Sequence, residues 1–196
     1  AAGAGATVQM GMQGRSAGGA MDWRDNSVTF EIGSDGAPAP SMPQLSDGLL
    51  TPSVEALAAS YDAAHTTYRL TVTPDASVAN VYSIFGTPSG GAMRVPAAYQ
   101  CAEPFGANMG GTNPALWPSA NSAETGYAQF DSWLTVGITD GDSAGALSTI
   151  GVDWATWSET SALEVADGAV FWMLPDDAPG GETVVAQLTL AAGAGA

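Results

Sequence analysis

The chain has 196 residues and a formal net charge of −16, from twenty acidic residues set against four basic ones, all arginine. Its charged fraction is 12%, against about 25% in an ordinary soluble domain, so what is unusual is missing base. Arg15, Arg24, Arg69 and Arg94 cannot supply the basic footprint of a nucleic-acid binder or of a protein drawn to an anionic membrane, and no apolar run approaches the roughly eighteen residues of a spanning helix.

Length and a hydrophobic fraction of 45% point to one globular domain. The chain opens on Ala1 without a charged leader, which reads as a mature or excised piece. Acidic residues are not enriched, so the loss of lysine suits an extracellular or cell-surface protein better than a halophilic one. Cys101 is alone and is expected to be buried as a small hydrophobe.

Residues 1–6 and 191–196 both read AAGAGA. Such side-chain-poor stretches behave as linkers or arms, leaving 7–190 as a single domain. The match of end to start suggests one unit of a repeating series.

From Thr7 to Gln13 the dominant period is two: Val8, Met10 and Met12 share one face, and Gln9, Gly11 and Gln13 the other. The same alternation recurs at Ser27–Ile32, Tyr68–Thr73, Phe130–Ile138 and Thr183–Leu190, predicting half-buried strands. Val78–Phe85 and Ala169–Leu174 are apolar on both faces, as covered strands are. Thr51-Pro52 resembles an N-cap with proline at the first helical position, predicting one short helix over Ser53–Ala64. Leu147–Trp157 alternates and is expected to be mostly strand. Gly86–Gly126 is a long Gly/Pro/Asn-rich loop with isolated anchors Met93, Tyr99, Phe105, Met109 and Trp117; its length marks it as functional or interfacial and ordered. The expected fold is all-β: an antiparallel, jelly-roll-like β-sandwich with one short helix and a long ordered loop.

The strings VPAAYQCAEPFGANMGGTNPALW from Val95, FDSWLTVGITDG from Phe130, GAVFWMLPDDAP from Gly168 and VVAQLTL from Val184 resemble repeat modules of very large secreted proteins of algae and other protists. They are also similar to the protomers of glycan-coated extracellular fibrils. The resemblance covers most of the chain, and implies a multi-copy structural role outside the cell.

Several constellations carry chemistry at the level of residue type. Gly141-Asp142-Ser143-Ala144-Gly145 matches the G-x-S-x-G elbow of serine hydrolases, with His65 as the only available base. An elbow needs a helix after it, whereas a strand is expected here, so no enzyme activity is expected. With one His and one Cys, zinc and copper have no ligand set. Calcium is the one cofactor the residue types admit, at Asp140 with Asp142 and at Asp176 with Asp177. Tyr99, Trp117 and Tyr127 belong to or flank the long loop and are candidate sugar contacts. None of the asparagines heads an N-glycosylation sequon, so attached glycan would be O-linked, with Pro38, Pro40 and Pro43 in the most suitable loop.

The strand Thr7, Val8, Gln9, Met10, Gly11, Met12, Gln13 follows an arm and carries three large apolar residues on one face. It suits addition to a neighbour's sheet, which propagates head to tail; the alternative is a strand folded into its own sandwich. The expected function is therefore a structural subunit of an extracellular fibril or surface layer, assembled by strand addition or as a tandem repeat, with copies of itself and covalent or bound glycans as partners. The alternative is a carbohydrate-binding sandwich module.

Overall fold

The computed structural model describes residues 5–19, 22–33, 48–59, 61–122 and 126–192. Two antiparallel sheets face each other across one apolar core, as expected for strands that alternate buried and exposed positions.

The seven-stranded sheet is built around β1 (Ala6–Ser16). Along one edge β1 pairs with β2 (Asp22–Ile32). Along the other it meets β5 (Val78–Gly86) and then β6 (Met93–Val95), with Gly11 opposite Phe85 and Gln9 opposite Arg94. Beyond these lie β11 (Leu163–Val165) beside β6 and β12 (Gly168–Trp172) beside β5; β10 (Leu147–Ile150) forms the far edge. The four-stranded sheet runs β3 (Leu50–Ala56), β4 (His65–Pro74), β13 (Thr183–Ala191), β9 (Trp133–Leu134), and β7 (Asn121–Ser122) pairs with β8 (Gly126–Tyr127) in a separate two-stranded ribbon.

Val8, Met10 and Met12 of β1 are fully buried and share the core with Leu70 and Val72 of β4 and Leu188 of β13. Each such side chain contributes roughly 1.5–3 kcal/mol on leaving water, so β1 is a principal donor to the core. Gly11 is required where it stands, because a side chain there would overlap the Phe85 ring on the neighbouring strand.

The helix expected over Ser53–Ala64 is not formed. Leu50–Ala56 is a strand, and the short helix, α1 (Trp117–Ala120), lies in the long loop. The misleading signal was Pro52. On an edge strand its missing N–H costs no ladder bond, and Leu50 and Pro52 point into the core while Thr51, Ser53 and Glu55 point out.

Within the expected loop Met93–Val95 is strand β6, and residues 128–132, tied to Cys101 and Ala107 of that loop, form a third layer over the outer face of the smaller sheet. That cover overturns two readings of exposed faces. Gln187 and Thr189, expected in water, are buried; the Gln187 amide donates to the carbonyls of Gln129 and Asp131, and the Thr189 hydroxyl to that of Phe130. Phe130–Ile138 is not a long half-exposed strand, since only Trp133–Leu134 is strand and Asp131 and Thr135 are buried. Residues 108–110 flank the open edge of β9, with Leu134 N–H donating to Asn108 and Gly110 N–H to Leu134. Elsewhere, Leu147–Trp157 is strand only to Ile150 and then turns through a 3-10 segment, Trp154–Thr156. Met173 and Leu174, expected to be covered, follow β12 and are exposed.

The segment after β6 crosses between sheets. Trp157 Nε1 donates to the Pro96 carbonyl, and Tyr99 N–H donates to that of Thr189 at 2.8 Å. The start of β1 lies beside the end of β6, and the end of β13 lies beside Tyr99. Both ends of the domain therefore open at the same end of the sandwich.

Candidate functional site

The expected assembly strand, Thr7–Gln13, lies inside its own sheet in the isolated chain, hydrogen-bonded on both edges. This is the fold-back arrangement. After β1 the chain turns toward β2 at Gly18 and Gly19, which have open space around them. A central strand followed by a small-residue turn can be supplied by the same chain or by another at the cost of the turn's own contacts, such as the Gly19 N–H donating to Ser16.

The three candidate sugar contacts meet around Tyr99, which touches Tyr127 through its hydroxyl and shares a small apolar cluster with Trp117. Tyr99 and Tyr127 are brought together by a residue the sequence reading missed, Tyr61, which stacks on Tyr99 at 4.6 Å and tilts against Tyr127 at 5.5 Å. The Tyr127 N–H donates to the Tyr99 hydroxyl oxygen at 3.0 Å. Burial raises the pKa of both the Tyr61 and Tyr99 phenols. Tyr61 also packs against His65, whose ring nitrogens lie 2.8 Å from Asp62 and 2.8 Å from Glu159.

Trp117 packs, with Tyr99 and Phe105, against a small cluster of Cys101, Ala120 and Ala128. Trp117, Phe130, Leu57, Arg69 and Gln187 are among the residues lining a hollow of about 190 Å³. Arg69 belongs to an outward-facing row across the sheet, in which Glu55, Arg69, Gln187 and Trp133 occupy matching positions on β3, β4, β13 and β9. Its guanidinium lies over the Trp133 ring at 5.1 Å and donates from Nη2 to Gln187 at 2.7 Å. Arg69 was legible only as a polar position in an alternating strand; that the loop would half-bury it was not.

The carboxylates considered for calcium hold protein groups. Asp142 accepts the N–H groups of Ala146 at 2.8 Å and Leu147 at 2.7 Å, closing the turn into β10. Asp176 pairs with Arg15, which also pairs with Asp22. Asp140 and Asp177 are exposed, and no group of three or more potential metal ligands occurs among the described residues. Ser143 lies in the same turn, which runs into β10 and not into a helix, so the nucleophile elbow lacks its supporting element. Cys101 is buried, and burial pushes its thiol up to about 11. Pro38, Pro40 and Pro43 lie outside the described residues.

The chain matches no protein-family model, no curated protein and no solved structure. Among the described residues no helix is long and apolar enough to cross a membrane.

Proposed function

We propose that the chain is a structural unit of an extracellular assembly, a fibril or surface layer, in which copies are joined through the first strand or as tandem repeats. The observation that carries this reading is the position of β1. A strand at the very start of the domain, preceded by a linker-like arm, occupies the middle of a sheet and supplies Val8, Met10 and Met12 to the core. Its exchange between copies would reproduce the same strand pairings, with the turn around Gly18-Gly19 opened, and extends as a filament when the exchange is not reciprocal. The identical AAGAGA ends and the placement of both ends at one end of the sandwich suit units that hand chain to one another there. The resemblance to secreted repeat modules points the same way.

Gln9 and Thr29 face each other across β1 and β2, within the Cα spacing a disulfide bridges. The triple variant Gln9→Cys, Thr29→Cys, Cys101→Ser, oxidised after assembly, distinguishes the alternatives on a non-reducing gel. Strand exchange yields a ladder of covalent multimers. A crosslinked monomer alone sinks exchange and leaves tandem units with the strand folded back; a protein that also stays monomeric at high concentration removes self-assembly through this strand altogether.

A further inference from the structure

His65, the first residue of β4, sits between two carboxylates. Its Nδ1 lies 2.8 Å from the Asp62 carboxylate and its Nε2 lies 2.8 Å from that of Glu159. An ionised carboxylate can only accept, and a neutral imidazole carries a single N–H. Both contacts are therefore hydrogen bonds only while the ring is protonated on both nitrogens. The geometry is that of an imidazolium. Tyr61 packs against the ring at 4.7 Å, a contact that favours positive charge beside an aromatic system.

The two carboxylates belong to different sheets. Asp62 lies in the connection from β3 to β4 of the smaller sheet. Glu159 lies in the turn closed by Ser158 and Ser161, which leads into β11 of the larger one. The Ser158 carbonyl also accepts the Ala98 N–H at 3.0 Å, and His65 is paired with Ala191, the last residue of β13. The ring thus ties the sheets together at the end where the chain enters and leaves. The titratable groups that face it are Asp62, Glu159 and the Tyr61 phenol, with the phenols of Tyr99 and Tyr127 behind Tyr61. Burial opposes charge on the ring, and the hydrogen bonds to both carboxylates outweigh it.

Loss of one proton leaves one N–H for two acceptors. The lone pair of the other nitrogen then faces an anion at hydrogen-bond distance. The His65 side chain is only 8% exposed, so that repulsion is weakly screened, and one carboxylate has to move. Asp62 is three residues from His65 and is held by its own loop, where it also accepts the Ala64 N–H at 2.7 Å. Glu159 is 48% exposed and can turn into water. The choice falls on Glu159.

We infer that His65 is a proton-operated clasp between the two sheets: as the imidazolium it holds Asp62 and Glu159 at once, and on losing its proton it keeps Asp62 and releases Glu159. Acid closes the seam beside the chain ends, and base loosens it. The clasp acts within one chain, whatever joins the copies.

The test is a titration of the intact protein from about pH 5 to about pH 9. The ring nitrogens of His65 are followed by long-range proton–nitrogen correlation, and backbone amides by hydrogen exchange corrected for intrinsic rates. Both ring nitrogens should be protonated at the acid end, and at the alkaline end the remaining proton should sit on Nδ1. Protection of the Ala98 amide should fall about two- to fivefold along the same titration, as loss of a half-exposed ion pair implies. Glu159→Gln puts an amide, which can donate or accept, in place of the carboxylate, so Ala98 protection should no longer depend on pH. Asp62→Asn reverses the choice: the amide donates to Nδ1, the remaining N–H stays on Nε2 toward Glu159, and protection is again flat. Both substitutions are at exposed positions. Four results overturn the inference: a ring that does not titrate in this range, a last proton on Nε2 in the unaltered protein, Ala98 protection that ignores the titration, or a pH dependence that survives Glu159→Gln.

Discussion

Asp131 accepts the backbone N–H of Cys101 at 2.7 Å, so a carboxylate at one end of the loop layer holds backbone at the other. Its second oxygen accepts the N–H of Ala107 at 2.7 Å, and its first also takes that of Ser132 at 3.0 Å. The side chain is fully buried. Burial pushes its pKa up to about 7, against the opposing pull of those three N–H groups. One acid thus pins the segment 101–107 over the sheet, and with it the neighbourhood of Tyr99 and Trp117.

Replacing Asp131 with asparagine keeps the shape and turns one acceptor into a donor facing an N–H. Asp131→Asn should therefore cost about 1–3 kcal/mol, seen as a lower urea midpoint. Faster hydrogen exchange should be concentrated at Ala107 or Cys101. Unchanged protection at both amides would show that the loop is held by other contacts.

Stability should be greatest in mild acid. Asp131 has a folded pKa of about 7 against an ordinary 3.8, so between those values the native state holds the extra proton and stability falls as pH rises. At His65 burial opposes the charged ring, but hydrogen bonds to Asp62 and Glu159 outweigh it and raise the pKa above 6.5. Its contribution is complete below 6.5 and disappears as pH climbs through the folded value. Asp22 and Asp62 are held below 3.8, chiefly by hydrogen bonds from Arg15 and His65 respectively, and lose their contribution only in stronger acid. Melting temperatures should thus peak between about pH 4 and 5 and decline toward pH 8. His65→Gln should flatten the upper part of the decline and leave the lower part. A melting temperature that climbs steadily from pH 5 to pH 8 would contradict both assignments.

Asp142 distinguishes a turn acid from a calcium ligand. Its two oxygens satisfy the N–H groups of Ala146 and Leu147, so Asp142→Ala should cost about 1–2 kcal/mol. The loss should be the same in calcium and in chelator, measured by thermal melting. A wild-type protein that melts several degrees lower in chelator, with Asp142→Ala insensitive to it, would instead establish a metal site in this turn.

Two methionines separate core from surface. Met10 is 1% exposed at the centre of β1, and Met173 is 56% exposed beyond β12. Met10→Ala should cost about 2–5 kcal/mol, whereas Met173→Gln should change stability by no more than about 0.5 kcal/mol. Equal losses in chemical denaturation would mean that Met173 is covered in the assembled protein.

The all-β character and the alternating faces of β1 and β4 were legible in the sequence, because a period of two acts over neighbouring residues. Local signals also misled: Thr51-Pro52 marks a helix start as readily as an edge strand, and only pairing with β4 decides between them. The faces of β9 and β13 were beyond local reach. Gln187, Thr189 and Asp131 have polar side chains that read as solvent-facing, yet they are buried and form hydrogen bonds with residues 24 to 59 positions away, whereas buried Thr135 bonds the Ile138 carbonyl within its own turn. The same long-range cover places Arg69 beside Trp117, and Tyr61 between Tyr99 and Tyr127. Residue type and spacing determine which strands exist and which side chains can donate, accept or stack. Which of them meet is decided by the third layer, whose placement depends on contacts between residues far apart in the chain.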